Sequence, residues 1–148
     1  MTMISTPSQN ALQAAMVAVL RGDTALTALL GGANPAKIVG PRAPEGLAEP
    51  YVLVGDHLSI PDNTHTSFGR DITITLHVWT RARSVGPGQT ISDRVNELLD
   101  HQVAALNAHI VGHRVVTIRQ TFDQALQDPD PELLHHVLRF RCETTQTS

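Results

Sequence analysis

The sequence is poor in the residues on which several common kinds of site depend. Its single cysteine, Cys142, cannot form a disulfide within the chain, and no cysteine pair is available to hold a metal ion. Aromatic residues make up only 3%, so aliphatic side chains must fill the core and few rings can stack on nucleic-acid bases. No apolar run approaches the roughly 20 residues of a membrane-spanning helix. We therefore expect neither a disulfide scaffold nor a membrane span.

Positive charge is also limited. The chain has 11 Lys and Arg residues against 14 Asp and Glu residues, and its formal net charge of −3 disfavours a protein built mainly to bind nucleic acid. With 41% apolar and 17% charged residues in a length of 148, the composition is typical of a folded globular protein. We expect one domain over residues 1–148, in a reducing compartment that keeps the lone thiol free.

Motifs for catalysis and metal binding are missing. Eight histidines are present, but His135 and His136 are neighbours on a predicted strand and must point to opposite faces. The chain contains no H-E-x-x-H, no G-x-S-x-G and no phosphate-binding loop. Cys142 is in phase with the buried side of its predicted strand, which favours a core residue over a nucleophile. We expect no catalytic residue, no metal site and no cofactor.

Helix signals occur in three places. In "TPSQNALQAAMVAVLRG", Thr6 is the predicted N-cap and Pro7 the first helical residue, followed by apolar residues at helical spacing. Asp23 is predicted to cap the short helix "TALTALL". The stretch "GPGQTISDRVNELLDHQVAALN" is predicted to form one long helix with a capping box made by Thr90 and Asp93.

Strand signals dominate the rest. In "ITITLHVW", apolar residues alternate with Thr73, Thr75, His77 and Trp79, which predicts a strand with one buried face. "YVLVGD" predicts a central strand, "KIVG" a short edge strand, and "HRVVTIRQTFD" and "LLHHVLRFRCE" a C-terminal pair. The segment His57–Arg70 is predicted to be a long loop of the kind that is often functional. Together these patterns predict an α+β fold: a mostly antiparallel or mixed sheet of four to five strands with two main helices packed on one face.

Charged residues supply the candidate contact sites. Ten of the 11 basic residues are arginine, whose planar guanidinium is favoured at protein interfaces. Three are predicted on the face of the C-terminal strands that lies away from the helices: Arg119, Arg139 and Arg141. An acidic turn between those strands is a candidate complement in a neighbouring subunit: Asp128, Asp130 and Glu132. Arg70 and Arg81 flank the strand that carries Trp79, a residue equally consistent with a buried structural role and an interface anchor.

The order of these segments resembles one known family. "DTALTALLGG", "PYVLVGD", "ITLHVWTRARS" and "HHVLRFRCE" occur in the succession found in tail-completion, or tail terminator, proteins of long-tailed phages and of phage-like gene transfer agents. The resemblance extends from Gln9 to Glu143, and "LHVWTRAR" and "VLRFR" are its most specific parts. These stretches are structural signatures and not catalytic motifs.

That resemblance implies a structural virion protein, assembled in the host cytoplasm and located in the tail or neck. Such proteins form a ring, typically a hexamer, that caps the tail tube, ends its polymerisation and forms the tail side of the head–tail joint. The implied partners are further copies of the chain, the tail tube protein and the head–tail connector or neck protein. DNA passes through the ring without sequence-specific binding, and no membrane, cofactor or enzymatic activity is involved.

Three other interpretations are open. A head-closure or neck adaptor protein of the same particle is the first alternative. A small enzyme that uses His57 or His77 in a pocket is the second, although no base, nucleophile and orienting group can be placed together. The third is a nucleic-acid-binding module that uses the arginine face, for which binding would weaken steeply with salt.

Overall fold

A five-stranded mixed sheet and four helices make up residues 4–147, the part of the chain that the computed structural model describes. The elements in chain order are α1 (Gln9–Arg21), α2 (Thr24–Leu29), β1 (Ile38–Val39), β2 (Tyr51–Pro61), β3 (Gly69–Arg81), α3 (Gly86–Leu99), α4 (Val103–Asn107), β4 (His113–Gln127) and β5 (Leu133–Gln146). The strand order is β1-β2-β3-β5-β4; β1 is parallel to β2, and all other neighbours are antiparallel. The predicted α+β class is confirmed, and the sheet is mixed.

One buried cluster joins the helices to the sheet. It combines side chains of α1, α3 and the strands, among them Leu12, Met16, Leu20, Ile91, Val95, Leu99, Val54, Ile74, Leu76 and Phe140. The helical members recur at spacings of three and four residues, so each helix turns one apolar stripe to the cluster. Within residues 4–147, Phe140 is the only Phe, Tyr or Trp among the fully buried side chains, which fits a core filled mainly by aliphatic residues.

Strand β3 separates the two faces of the sheet. Its residues alternate between buried and half-buried from Ile72 to Thr80, as the sequence pattern predicts. The half-buried residues belong to a surface that we call the open face. In register across the strands it contains Leu58, Asp71, Thr73, Thr75, His77, Trp79, Arg81, His135, Val137, Arg139, Arg141, Arg119, Phe122, Gln124 and Leu126.

Half of the predicted loop His57–Arg70 is strand, so the predicted bounds are wrong and the loop itself covers only residues 62–68. β2 continues to Pro61 and β3 already begins at Gly69. A bulge at Asp56, whose φ is 59°, shifts the alternation of β2 by one residue. His57 is therefore directed to the core side of the sheet although it follows an exposed residue, and the polar appearance of this stretch concealed the strand.

The helix boundaries also differ from prediction. α1 begins at Gln9 after Ser8, so neither Thr6 nor Pro7 belongs to the helix. Thr90 lies inside α3, where its hydroxyl donates a 3.0 Å hydrogen bond to the carbonyl oxygen of Gly86 instead of capping the helix. Asp23 does cap α2: its carboxylate accepts a hydrogen bond of 2.9 Å from the Leu26 N–H.

The predicted long helix is interrupted. α3 ends at Leu99 and α4 starts at Val103, with His101 between them at a φ of 61°. The apolar stripe continues through Val103 and Leu106, which both contact the core, so its periodicity gave no sign of the break. None of the helices in residues 4–147 is long and apolar enough to cross a bilayer.

Candidate interaction surface

An ion pair joins β3 and β5 on the open face. Arg141 of β5 and Asp71 of β3 are brought together by the antiparallel register, and their atoms Nη2 and Oδ2 are 2.6 Å apart. The Nε–H of Arg141 also donates to Asp71 Oδ1 at 3.0 Å, so the contact is bidentate. The hydrogen bonds from Arg141 hold the pKa of Asp71 below its usual range. Arg141 is thereby fixed as part of the sheet surface.

Two neighbouring arginines have no acidic partner within residues 4–147. Arg119 of β4 lies opposite Arg141 in the strand register, and its side chain is exposed. The guanidinium carbon of Arg139 lies 4.6 Å from the centre of the Phe122 ring, a cation–π contact across β4 and β5. The structure therefore groups the three predicted arginines on one face and leaves Arg119 and Arg139 available for an external carboxylate.

The acidic turn between β4 and β5 makes contacts within its own chain. Asp130 lies 3.1 Å from Arg81, and Glu132 lies 3.4 Å from Arg83. A hydrogen bond from the Glu132 N–H, followed by the contact with Arg81, lowers the pKa of Asp130. The carboxylate of Asp128 accepts a hydrogen bond only from the backbone N–H of Asp130 within residues 4–147. The pairing of this turn with the arginines of a neighbouring subunit stays a prediction. Of the three acidic residues of the turn, Asp128 is the one without an ion pair in the described chain.

Arg70 and Arg81 lie apart from the arginine group. Arg81 is at the end of β3 beside the acidic turn, and it is also 3.5 Å from Glu49. Arg70 precedes Asp71 and is in register with Thr144, which places it on the other face of the sheet. Sequence proximity to the strand was therefore a poor guide to which arginines share a surface.

A line of polar rings occupies the other half of the open face. His77 Nε2 is 2.9 Å from Asp56 Oδ2, and His77 Nδ1 is 2.6 Å from His135 Nε2. The His135 ring stacks on Trp79 with centroids 4.0 Å apart and an interplanar angle of 6°. Burial, followed by the proximity of His77, lowers the pKa of His135 to about 4. Trp79 is thus half-buried against a histidine on the open face.

Sequence reasoning missed this cluster because its members come from three strands. The alternation of β3 placed His77 and Trp79 on one face, but the position of His135 depends on the β3–β5 register. Asp56 reaches His77 only because of the bulge in β2. Within residues 4–147 no group of three or more His, Cys, Asp and Glu side chains is arranged to hold a metal ion.

Comparison with known proteins decides the family. A family model described as "Tail completion protein gp17" matches residues 14–145, nearly the whole chain. The chain belongs to this family. Tail completion proteins are structural proteins of the virion tail or neck and not enzymes.

Relatives of the tail completion family agree with this assignment. The tail completion protein gp17 of Bacillus phage SPP1 is 35% identical over 95 residues, which are 62% of this chain and 65% of that protein. The match therefore spans a little less than two thirds of the SPP1 protein. The structure of SPP1 gp17 aligns with a TM-score of 0.52 and 26% identity, covering 94% of this chain and 90% of the other.

A chain from the virion of a native gene transfer agent particle has a more similar fold. It aligns with a TM-score of 0.79 over 95% of this chain and 99% of its own length. The sequence identity is 22%, so this likeness shows the fold.

Proposed function

We propose that this tail completion protein is a tail terminator. Copies of the chain form a ring, a hexamer, that caps the last ring of the tail tube, ends its polymerisation and forms the tail side of the head–tail joint. The observation that carries the proposal is the match of the tail completion family model to residues 14–145, nearly the whole chain. We further propose that residues 1–148 act as one domain.

The proposed partners are the tail tube protein on one side of the ring and the head–tail connector or neck protein on the other. DNA passes through the ring without sequence-specific binding. The net charge of −3 supports this view, because tight binding to the phosphate backbone requires a basic surface. Such binding would also slow the passage of DNA.

In the proposed subunit, the two main helices pack on one face of the sheet and the open face meets other proteins. The buried residues of α1 and α3 that join the core cluster support this arrangement. The half-buried Trp79 and the exposed arginines of the open face are the residue types favoured in interfaces.

We also propose that the open face contributes to the subunit contact. A heterologous ring contact joins two different patches of one subunit. Arg119 and Arg139 are one such patch, and the acidic turn around Asp128 is the other. The ion pairs of Arg141 with Asp71 and of Asp130 with Arg81 orient these patches within each copy.

Particles assembled without the protein test the proposal. If the protein is a terminator, particles assembled without it should have overlong tails, because nothing then ends tube polymerisation. Tails of normal length beside unattached, leaking heads would instead support the head-closure or neck adaptor function. Electron microscopy of negatively stained lysates measures both outcomes.

The solution mass of the purified protein provides an independent test. Light scattering over a concentration series, with and without purified tail tubes, is expected to show a ring-sized species or rings at tube ends. A protein that stays monomeric and does not bind tail tubes at any concentration contradicts the terminator proposal.

A further inference from the structure

The outer edge of β4 is covered along its first half. The side chain of Asn107 donates to the Val115 carbonyl at 3.0 Å and accepts from the Val115 N–H at 2.8 Å. The His101 N–H donates to the Ile118 carbonyl at 3.0 Å, and Asp100 accepts from the Gln120 N–H at 2.8 Å. The linker residues Asp100 and His101 and the last residue of α4, Asn107, therefore satisfy the edge as far as Gln120.

The second half of the same edge has no such cover. Hydrogen-bonded and non-bonded pairs alternate along an antiparallel ladder. The Asp128 N–H donates to the Leu133 carbonyl, and counting back in register from this pair places the backbone groups of Asp123 and Ala125 on the side away from β5. Within residues 4–147 no hydrogen bond joins these groups to another element. From Phe122 to Gln127 the strand carries one charged side chain, and exposed edges of this kind are templates for another strand.

The opposite side of the sheet has a second uncovered edge. β1 pairs only with Val52 and Leu53, so β2 loses this neighbour before the bulge. Beyond the bulge, the backbone groups of His57 and Ser59 point away from β3 by the same alternation. Leu58 and Ile60 are 63% and 54% exposed, and no charged residue lies between His57 and Pro61.

These two edges match each other in direction and in face. β2 and β4 run in opposite directions because three antiparallel steps separate them in the sheet. A copy placed beside β4 in the same orientation would therefore present β2 as an antiparallel neighbour. In both edges, the residues whose backbone groups point outward have their side chains on the core side of the sheet. Pairing of the two edges therefore keeps the open faces of both copies on the same side.

Side chains next to the paired edges are also complementary. Leu58 and Ile60 of one copy would lie on the open face beside Phe122 and Leu126 of the next, burying apolar surface that is now exposed. Such cross-strand apolar pairs stabilise antiparallel strands.

We infer that copies of this chain join by strand addition, with the β2 segment His57–Pro61 of one copy pairing with the β4 segment Phe122–Gln127 of the next. The occupant of the uncovered β4 edge is a second copy of the chain. The contact uses two different edges, so it is heterologous and can continue around a closed ring. The inference rests on the ring assembly proposed above and identifies its backbone contact. It is an alternative to the charge contact proposed there: with all copies in one orientation, the acidic turn of the next copy lies across its own sheet from the paired β2 edge and does not reach Arg119 and Arg139.

Disulfide cross-linking in the presence of tail tubes tests this pairing. Leu58→Cys is combined in turn with Phe122→Cys, Gln124→Cys and Leu126→Cys, all on the open face. One of the three pairs is expected to give a reducible ladder of multimers on a non-reducing gel, since a disulfide forms only where the two Cα atoms approach within about 7 Å. Leu58→Cys with Thr117→Cys, on the covered half of β4, is the matched control and should give no ladder.

The outcomes separate this inference from the proposed function. Rings that form without a disulfide in any of the three pairs, or a ladder from the Thr117→Cys control, overturn the strand pairing and leave the terminator proposal intact. If neither wild type nor variants form oligomers with or without tubes, the terminator proposal fails, and the pairing fails with it.

A backbone substitution gives a second test. Ala125→Pro removes an outward-pointing N–H that β5 does not use, and proline is tolerated at such edge positions. The variant is expected to keep the circular dichroism and unfolding midpoint of the wild type while losing ring formation in light scattering. A folded Ala125→Pro variant that still forms rings contradicts the pairing.

Discussion

At the scale of single residues, Asp23 has two separable roles. Its carboxylate caps α2 through the Leu26 N–H and also binds Arg94 of α3, with Oδ1 2.7 Å from Nη2. The hydrogen bonds from Arg94 lower the pKa of Asp23. One side chain thus fixes both the start of a short helix and its position against α3.

Substitution of Asp23 is expected to separate these roles. Asp23→Asn keeps an oxygen that can cap α2 and removes the charge, whereas Asp23→Ala removes both contacts. The alanine variant should lose about 1 kcal/mol more of unfolding free energy than the asparagine variant, which is the usual value of a helix N-cap. Urea denaturation at neutral pH measures the difference, and equal losses would show that the cap contributes nothing.

The histidines of β5 predict a mild acid sensitivity. Burial lowers the pKa values of both His135 and His136 below the ordinary 6.5. Below pH 6.5 the unfolded chain therefore binds protons that the folded chain does not. As far as these two histidines are concerned, the free energy of unfolding is highest above pH 6.5. It decreases as the pH falls towards the pKa of the folded state, which for His135 is about 4.

His135→Phe should flatten this dependence. Phenylalanine retains an aromatic ring against Trp79 but cannot titrate, so the loss of stability between pH 7 and pH 5 is expected to be smaller than in the wild type. The same change at the exposed His109 is the control and should leave the slope as it is. Urea midpoints at several pH values test this expectation, and an unchanged slope in His135→Phe contradicts it.

At the scale of elements, α3 approaches β5 closely at one glycine. A Cβ atom added to Gly88 would overlap His136 Cε1 and lie 2.6 Å from His136 Nδ1 and 3.2 Å from Thr80 Oγ1. His136 is fully buried and has little room to move. Glycine at this position therefore sets how near the helix comes to the sheet.

Gly88→Ala is expected to destabilise the fold by about 1–3 kcal/mol, the usual range for overpacking a core. Gly86→Ala, in the same helix, meets only the side chain of Ser84 at 3.8 Å and serves as the control. It should change stability by less than about 1 kcal/mol, because alanine favours the helix. Thermal unfolding compares the two, and equal stability of both variants would show that α3 can shift outward at no cost.

The elements also show what the sequence could and could not predict. The alternation of Ile72, Ile74, Leu76 and Val78 identified β3 because a buried face needs a period of two. The break between α3 and α4 left no trace, since Val103 and Leu106 stay in phase with the stripe while His101 turns the backbone. The bulge at Asp56 reversed the alternation of β2, and a pattern with a changed phase is read as a loop.

At the scale of the whole molecule, the charge pairing between copies has a direct test. The double variant Arg119→Glu, Arg139→Glu should raise the protein concentration required for ring formation at least tenfold. Two glutamates would then face the acidic turn of the neighbouring copy. The intrachain pair of Arg141 and Asp71 is left in place so that the sheet stays folded.

Arg114→Glu provides the control for that reversal. Arg114 lies exposed near the start of β4, in register with Thr145 and away from the arginine group. The Arg114→Glu variant should assemble like the wild type. Adding Asp128→Arg to the double variant Arg119→Glu, Arg139→Glu should partly restore assembly. Rings of normal affinity in the double variant would show that these charges do not join the copies.

Sequence and structure contributed differently to the functional conclusion. The order of "PYVLVGD", "ITLHVWTRARS" and "HHVLRFRCE" was sufficient to suggest the family, and these stretches lie in three of the five strands of the sheet. The grouping of Arg119 with Arg141 required the pairing of β4 with β5. Contacts between copies depend on a second molecule, so neither the alternation of residues nor the spacing of charges determines them.

The stack of Trp79 on His135 gives the protein a built-in optical reporter. The chain contains one tryptophan, so its indole emission comes from a single point on the open face. A protonated imidazole quenches indole fluorescence, and a change of solvent around the ring shifts its emission colour. Binding of a neighbour to this face, and its release, can therefore be followed in real time in the unlabelled protein.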